Sequence, residues 1–383
     1  MVILDNFNRN YCAKQMISTK PNQYFPALTG VRALAAYMLF IHHYEPFDEA
    51  NYGSVIYHFF REMHIGVALF FVLSGFLIAC RYLNSTGINY RKYIVNRIAR
   101  IYPMYFILTT ITFLVWAITK EQDHLKDLTF NLYLANISFI KGYSETYKFS
   151  GVAQGWSLTV EETFYLIAPL SFLLIRKNRI NLLIIPLVIL STGCLLVFIC
   201  KDHDLLGFFS TYEFMFNYTF FGRCFEFFIG IALAVFLQQN PSVRDTKYLT
   251  YVGLLIILLC AFSLSLVRGD ADFGIRQPIG KLINTFLMPL FGIAVFYYGL
   301  VTETTLLSKL FSSKPMQLLG KSSYIFYLIH IGVLALFLDQ YITDNFLLFV
   351  TINIIAVVMF LFIEEPLNNL IRKKYSKELN NLV

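Results

Sequence analysis

Charge is scarce in this sequence. Asp, Glu, Lys and Arg make up 14% of its 383 residues, where a soluble domain carries about a quarter. That shortage excludes the two or three soluble domains that the length would otherwise allow. Tryptophan occurs only twice. The six cysteines, at 12, 80, 194, 200, 224 and 260, include no CxxC pair. They therefore offer neither a zinc site nor a disulfide framework, and they read as small buried hydrophobes. Residues 1–27 are mostly polar and hold no apolar core of a cleavable leader, so the first apolar run reads as an uncleaved anchor. No internal repeat and no appended soluble domain stand out.

What remains is apolar. Hydrophobic residues make up 57% of the chain, with 39 Phe and 25 Tyr. Runs near the length of a bilayer crossing, about 20 residues, fall at 28–44, 64–82, 101–119, 156–175, 180–200, 216–238, 248–267, 282–301, 322–340 and 345–371. The expected fold is all-α: a polytopic integral membrane bundle of about ten transmembrane helices. It forms a single domain over 1–383, with its core over about 24–372. NLYLANISFI at 131–140 is a candidate re-entrant piece. With both termini on one side, Lys and Arg favour that side by about two to one, which places the termini in the cytoplasm as short tails. The formal charge of +7 lies in short loops between spans, so it signals membrane lipid and not nucleic acid.

Ionisable residues inside spans are costly and mark function or internal pairing. Arg32 and His43 lie in the first span, eleven residues apart. That separation is about 16 Å along a helix and returns to within about 20° of the starting face. His42 is rotated off this stripe. The plain alternative has Arg32 snorkelling to headgroups and the histidines at the opposite interface. In GWSLTVEETFYLIAPL, residues 155–170, Ser157 and Glu161 share a face one turn apart, and Glu162 points about 100° away. A Glu161–His43 pair would fix the imidazole tautomer and make a general base for a hydroxyl. A structural ion pair is the alternative. Arg97 and Arg100, with Arg91 and Lys92, form a basic cluster suited to phosphates or to anionic lipid. Ser74 and Gly75 interrupt the second span, where small residues commonly serve packing. Arg223 and Glu226 are spaced to neutralise each other. Tyr324, Tyr327 and His330 recur at helical spacing in LGKSSYIFYLIH.

Six stretches, LTGVRALAAYMLFIHH, GVALFFVLSGFLI, NRIARIYPMYF, WSLTVEETFYL, LGKSSYIFYLIH and IEEP, occur in this order. Together they resemble the acyltransferase-3 family of bacterial membrane O-acyltransferases over roughly residues 24–372. Thr163 stands where that family usually carries Gln. The resemblance implies a ten-helix machine of the bacterial cytoplasmic (inner) membrane. It takes an acyl group, often acetyl, from cytoplasmic acyl-CoA to a hydroxyl of a glycan or lipid-linked saccharide. O-antigen, capsule or exopolysaccharide units are the expected acceptors. It implies His43 as the catalytic residue, Glu161 less firmly because Glu162 adjoins it, and Arg32, Arg97 and Arg100 at the donor. Ser74, Trp156, Ser157, Tyr324 and His330 are candidates for the cavity or an oxyanion site. No tightly bound cofactor and no metal are expected, nor the extracytoplasmic hydrolase-like domain of some members. Direct transfer and an acyl-histidine relay both stay open. The rival reading is a proton-coupled transporter or flippase of a glycan or lipid-linked substrate, using the same ionisable residues as a pathway.

Overall fold

The computed structural model describes residues 24–85, 87–119, 129–203, 205–240 and 247–380, with side chains described to residue 375. Cys12 and residues 120–128 lie outside these. The main helices are α1 (Pro26–Tyr44), α2 (Gly66–Tyr82), α3 (Tyr90–Thr119), α4 (Gly155–Lys177), α5 (Asn181–Cys200), α6 (Phe220–Gln239), α7 (Leu249–Val267), α8 (Pro278–Thr302), α9 (Lys314–Ile329), α10 (Asn345–Met359) and α11 (Glu365–Asn380). Among the described residues there is no β-strand, only an isolated bridge between Ser144 and Phe208. The fold is an all-α polytopic membrane bundle.

Eight described segments are long and apolar enough to cross a membrane, and the bent pair of α9 with Val333–Asp339 makes a ninth. Helix α1 is 19 residues long but is not among them. Arg32, His42 and His43 dilute its apolar residues, and its other positions are largely buried, including Val31, Ala35, Ala36 and Leu39. A helix surrounded by protein does not need a lipid-matched surface. Pro26 opens it at a position where its fixed φ suits the first turn, and Glu45 in the left-handed region closes it.

Three boundaries differ from the sequence expectation. Arg97 and Arg100 were expected in a loop before Pro103. They lie inside α3, which begins at Tyr90 and carries Pro103 in its interior. Proline removes one ladder bond without ending a helix whose neighbours hold it. The expected loop before the second span is largely helical, with Ser54–Arg61 and a tight turn at Glu62–Ile65 leading into α2. The expected 322–340 helix breaks after His330, and its two parts cross at 86°. Gly332 sits at the break with φ 103°, a conformation that side-chain-bearing residues rarely adopt.

Small residues bring the central helices together. A Cβ on Gly75 of α2 would lie 2.0 Å from the Phe227 carbonyl oxygen of α6, and one on Gly320 of α9 would lie 1.8 Å from the Thr29 carbonyl oxygen of α1. Gly75 is thus a packing residue, as its surroundings suggested. The five described cysteines are free thiols, and Cys200 and Cys224 are buried.

Candidate active site

The stripe on α1 meets two separate cavities. Arg32 lines one of about 60 Å³, together with Ser74 of α2, Arg97 and Arg100 of α3, Ser157 and Glu161 of α4, and Tyr324 of α9. At about 15 Å³ per water, this is space for about four waters. His43 lines a larger cavity of about 290 Å³ with His42, His64, Gln154, Trp156 and Arg223. Val67 and Tyr327 belong to both linings. The Tyr327 hydroxyl also lies 2.6 Å from Ser157 Oγ, so this bond forms part of the partition. One helix therefore carries a guanidinium into one chamber and an imidazole into the other.

The first chamber is cationic. Arg97 is 6% exposed; its guanidinium lies over the Tyr165 ring at 5.5 Å, and its Nε has no hydrogen-bond partner. Glu161 accepts hydrogen bonds from Ser74 Oγ at 2.6 Å and from the Tyr165 hydroxyl. Glu162 points elsewhere, with Oε1 buried and unpartnered. The Glu161–His43 pair anticipated from the sequence is not formed. The two side chains line opposite sides of the Tyr327 partition, and Glu161's acceptor capacity goes to α2 and its own helix. Helical phase placed Ser157 and Glu161 on one face, as found, but phase on two helices says nothing about their relative depth.

The second chamber is rich in imidazole. His43 is exposed to it, with ring centroids 4.7 Å from His42 and 5.3 Å from His330. His330 is fully buried. Its Nδ1–H donates to the Tyr327 carbonyl at 2.8 Å, leaving Nε2 without a partner. His42 donates Nδ1–H to the Arg61 carbonyl at 2.6 Å. Both tautomers follow because a carbonyl only accepts. His64 donates from Nε2 to Glu62 at 3.0 Å, and the buried Glu62 also accepts the Gly274 N–H at 2.7 Å. Sequence reading passed over Glu62 and His64; the only signal was an acid and a histidine two residues apart at the start of the expected second span.

The remaining candidates divide between the chambers. Trp156 lines the second and stacks edge-on to Tyr218 at 5.0 Å. Ser157 is buried and donates to the Gln154 carbonyl at 3.0 Å. Tyr324 spends its hydroxyl on the Ile101 carbonyl at 2.7 Å. Arg223 and Glu226 form the expected buried pair, bidentate at 2.6 and 2.7 Å. Beyond the second chamber, Lys141 sits fully buried in the loop before α4 and donates to the carbonyls of Ser150 and Val152. Burial pushes its amine down to about 7. Among the described residues, no group of three or more His, Cys, Asp or Glu side chains is arranged to hold a metal ion.

This arrangement can bind an anion in one chamber and accept a proton in the other. Comparison with known proteins identifies the family. A model described as an acyltransferase domain matches residues 25–364. A "Putative O-acetyltransferase" of Staphylococcus aureus strain COL is 27% identical, over 94% of this chain and 59% of its own length. The "Putative peptidoglycan O-acetyltransferase YrhL" of Bacillus subtilis strain 168 is 27% identical, over 94% and 57%. The O-acetyltransferase OatA of S. aureus strain NCTC 8325 is 26% identical, over 92% and 58%. The chain thus spans less than two thirds of the length of these relatives. No solved structure is significantly similar to it. With the family model covering most of the sequence and its motifs lining both chambers, the chain belongs to the acyltransferase-3 domain family.

Proposed function

We propose that this protein is a membrane O-acyltransferase that moves an acyl group, acetyl foremost, from cytoplasmic acyl-CoA to a hydroxyl of a glycan or lipid-linked saccharide. The observation that carries the reading is the pair of chambers threaded by one helix. Three arginines with no ion pair among the described residues line one, with Glu161, and imidazoles line the other. The relatives' names, one of which specifies peptidoglycan, support O-acetylation of a glycan. The arginine chamber faces the cytoplasm, with both termini, in the bacterial inner membrane.

Donor phosphates bind Arg97 and Arg100, with Arg32 deeper in the chamber. Guanidinium forks match phosphate geometry and stay charged. The acceptor hydroxyl enters the imidazole chamber, where Trp156 offers a ring face to a sugar. His43 takes the hydroxyl proton as that oxygen attacks the thioester carbon. The tetrahedral intermediate collapses with loss of the CoA thiolate, which takes the proton from the imidazolium. A thioester is already activated, so positioning and oxyanion stabilisation supply most of the remaining acceleration. Glu161 acts on the donor side: it fixes Ser74, whose hydroxyl borders the path of the thioester. His330, held in one tautomer by the Tyr327 carbonyl, backs the His43 ring.

The test uses the purified protein in detergent, with acetyl-CoA and a panel of glycans. His43→Ala is expected to bind CoA like the wild type and to release thiol about 10²- to 10⁴-fold more slowly, the usual worth of a general base. Full thiol release by a correctly inserted His43→Ala protein would refute the assignment. Movement of an unmodified saccharide without thiol release would favour transport.

A further inference from the structure

The arginine chamber does not end at its own lining. On α3, Tyr93, Arg97 and Arg100 are spaced i, i+4, i+7 and form one stripe. On α11, Asn368, Arg372 and Tyr375 repeat the spacing. The two helices pack together, and the Arg91 guanidinium sits over the Tyr375 ring at 5.3 Å. Along this seam, buried polar atoms stand without hydrogen-bond partners: the hydroxyls of Tyr93 and Tyr375, Nε of Arg97 and Arg372, and Oδ1 of Asn368. Native proteins pair nearly all such atoms, so a run of orphans marks a place for an occupant.

The charge balance says what that occupant is. Arg81, Arg97 and Arg100 all lie near enough to Arg372 to repel its charge. Among the described residues, none of these four arginines has a carboxylate within ion-pair distance. Arg97 is buried, Arg100 and Arg372 are half-buried and Arg81 is exposed; Glu161, Glu162 and Glu364 lie close enough to offset part of their charge, and a multiply charged anion offsets the rest. Arg372 is also outside the lining of the first cavity. One turn further along α11, Tyr375 lies against Arg91 near the start of α3, which places Arg372 toward that end of the seam, at the far end of a ligand whose reacting group points toward the partition.

We infer that Arg372, on the C-terminal helix, receives a terminal phosphate monoester of the donor, separate from the diphosphate held at Arg97 and Arg100. On the proposed function, which this inference rests on, that group is the 3′-phosphate of CoA. The helix α11 is thus part of the donor site and not only an anchor after the last span. A lipid phosphate offers the same chemistry, and the experiment separates the two sources.

CoA and 3′-dephospho-CoA are titrated calorimetrically into the full chain in detergent, for wild type, Arg372→Gln and Arg372→Lys. One charge-assisted contact predicts that wild type binds CoA about 10- to 100-fold more tightly than dephospho-CoA. Arg372→Gln should bind both ligands alike, at the wild-type affinity for dephospho-CoA. Arg372→Lys should recover part of the preference, which a merely structural arginine would not show. The inference falls, with the donor reading intact, if wild type binds CoA without regard to the 3′-phosphate, or if Arg372→Gln weakens both ligands equally. It also falls if Arg372→Gln keeps the CoA preference but loses phosphatidic acid in a nanodisc retention assay, for then the phosphate is a lipid's. If wild type binds neither nucleotide, both the inference and the donor reading fail.

Discussion

Two arginines of nearly equal burial predict opposite outcomes. Arg97 is 6% exposed and Arg223 is 4% exposed. Arg223 holds Glu226 through two hydrogen bonds of 2.6 and 2.7 Å and also bonds the Asn217 carbonyl. Among the described residues Arg97 has no ion pair, and its Nε is unsatisfied. Converting Arg223 to Gln strands a fully buried carboxylate and should cost about 3–5 kcal/mol. Converting Arg97 to Gln breaks no ion pair; it removes a cation that repels Arg372 and attracts the buried Glu162, and these two effects oppose each other. The ligand-free Arg97→Gln protein should melt close to the wild-type temperature. Its CoA affinity should instead fall by about 1.5–3 kcal/mol, or roughly 10- to 150-fold, the worth of one charge-assisted contact. A thermal-shift series in detergent with and without CoA reads both effects at once. At a hundredfold excess over Kd, CoA should stabilise the wild type by about 2.7 kcal/mol and Arg97→Gln far less. A site that serves ligand affinity and not stability behaves in this way. If ligand-free Arg97→Gln melts as far below the wild type as Arg223→Gln, Arg97 is a structural residue and the donor reading loses its main support.

Two further predictions follow from packing and burial. Gly320→Ala would drive a methyl into the Thr29 carbonyl of α1, at 1.8 Å if nothing moved. It should therefore cost more than the usual 1–3 kcal/mol of an overpacked core, and monodisperse protein recovered by size exclusion should fall sharply. Lys141 has a folded-state value of about 7 against an ordinary 10.5. Between those values the unfolded chain binds more protons than the folded one, so stability rises with pH across about 7–10.5, by at most about 1.4 kcal/mol per unit, and is flat below that window. Melting temperatures from pH 7 to 9 should climb in the wild type, and Lys141→Met should remove the climb.

The architecture was legible because bilayer thickness writes itself into sequence as apolar run length, and because helical phase is simple arithmetic. The Arg32–His43 stripe, the Ser157–Glu161 face and the Arg223–Glu226 pair all follow from 100° per residue. What phase cannot supply is depth and neighbour identity. Glu161 was on the right face but on the arginine side of Tyr327. Arg372 lay in a basic tail that reads as ordinary positive-inside charge, and only its place opposite α3 sets it apart. His330 was expected in the cavity but is fully buried beside His43, and the break that follows it depends on Gly332, whose φ has no periodic signature. Glu62 fell just before the expected 64–82 span and His64 at its first residue, and a buried carboxylate–imidazole pair leaves no run or repeat to detect.

The partition at Tyr327 bears on the proposed reaction itself. A thioester carbon and an attacking oxygen must come to about 3–3.5 Å, yet Arg32 and His43 are held about 16 Å apart along α1 in chambers that the Tyr327–Ser157 contact divides. In the proposed reaction the acyl arm passes this contact at Tyr327, which borders both cavities. A closed partition has a chemical use, since an activated thioester beside a wet outer chamber would be lost to hydrolysis, and excluding water until the acceptor is seated prevents that side reaction. Tyr327 is also well placed to sense the acceptor side, because its carbonyl fixes the tautomer of His330, which contacts His43. Tyr327 thus contacts Ser157 through its hydroxyl and His330 through its carbonyl, and in the proposed reaction this links opening of the donor path to orientation of the base through a single residue.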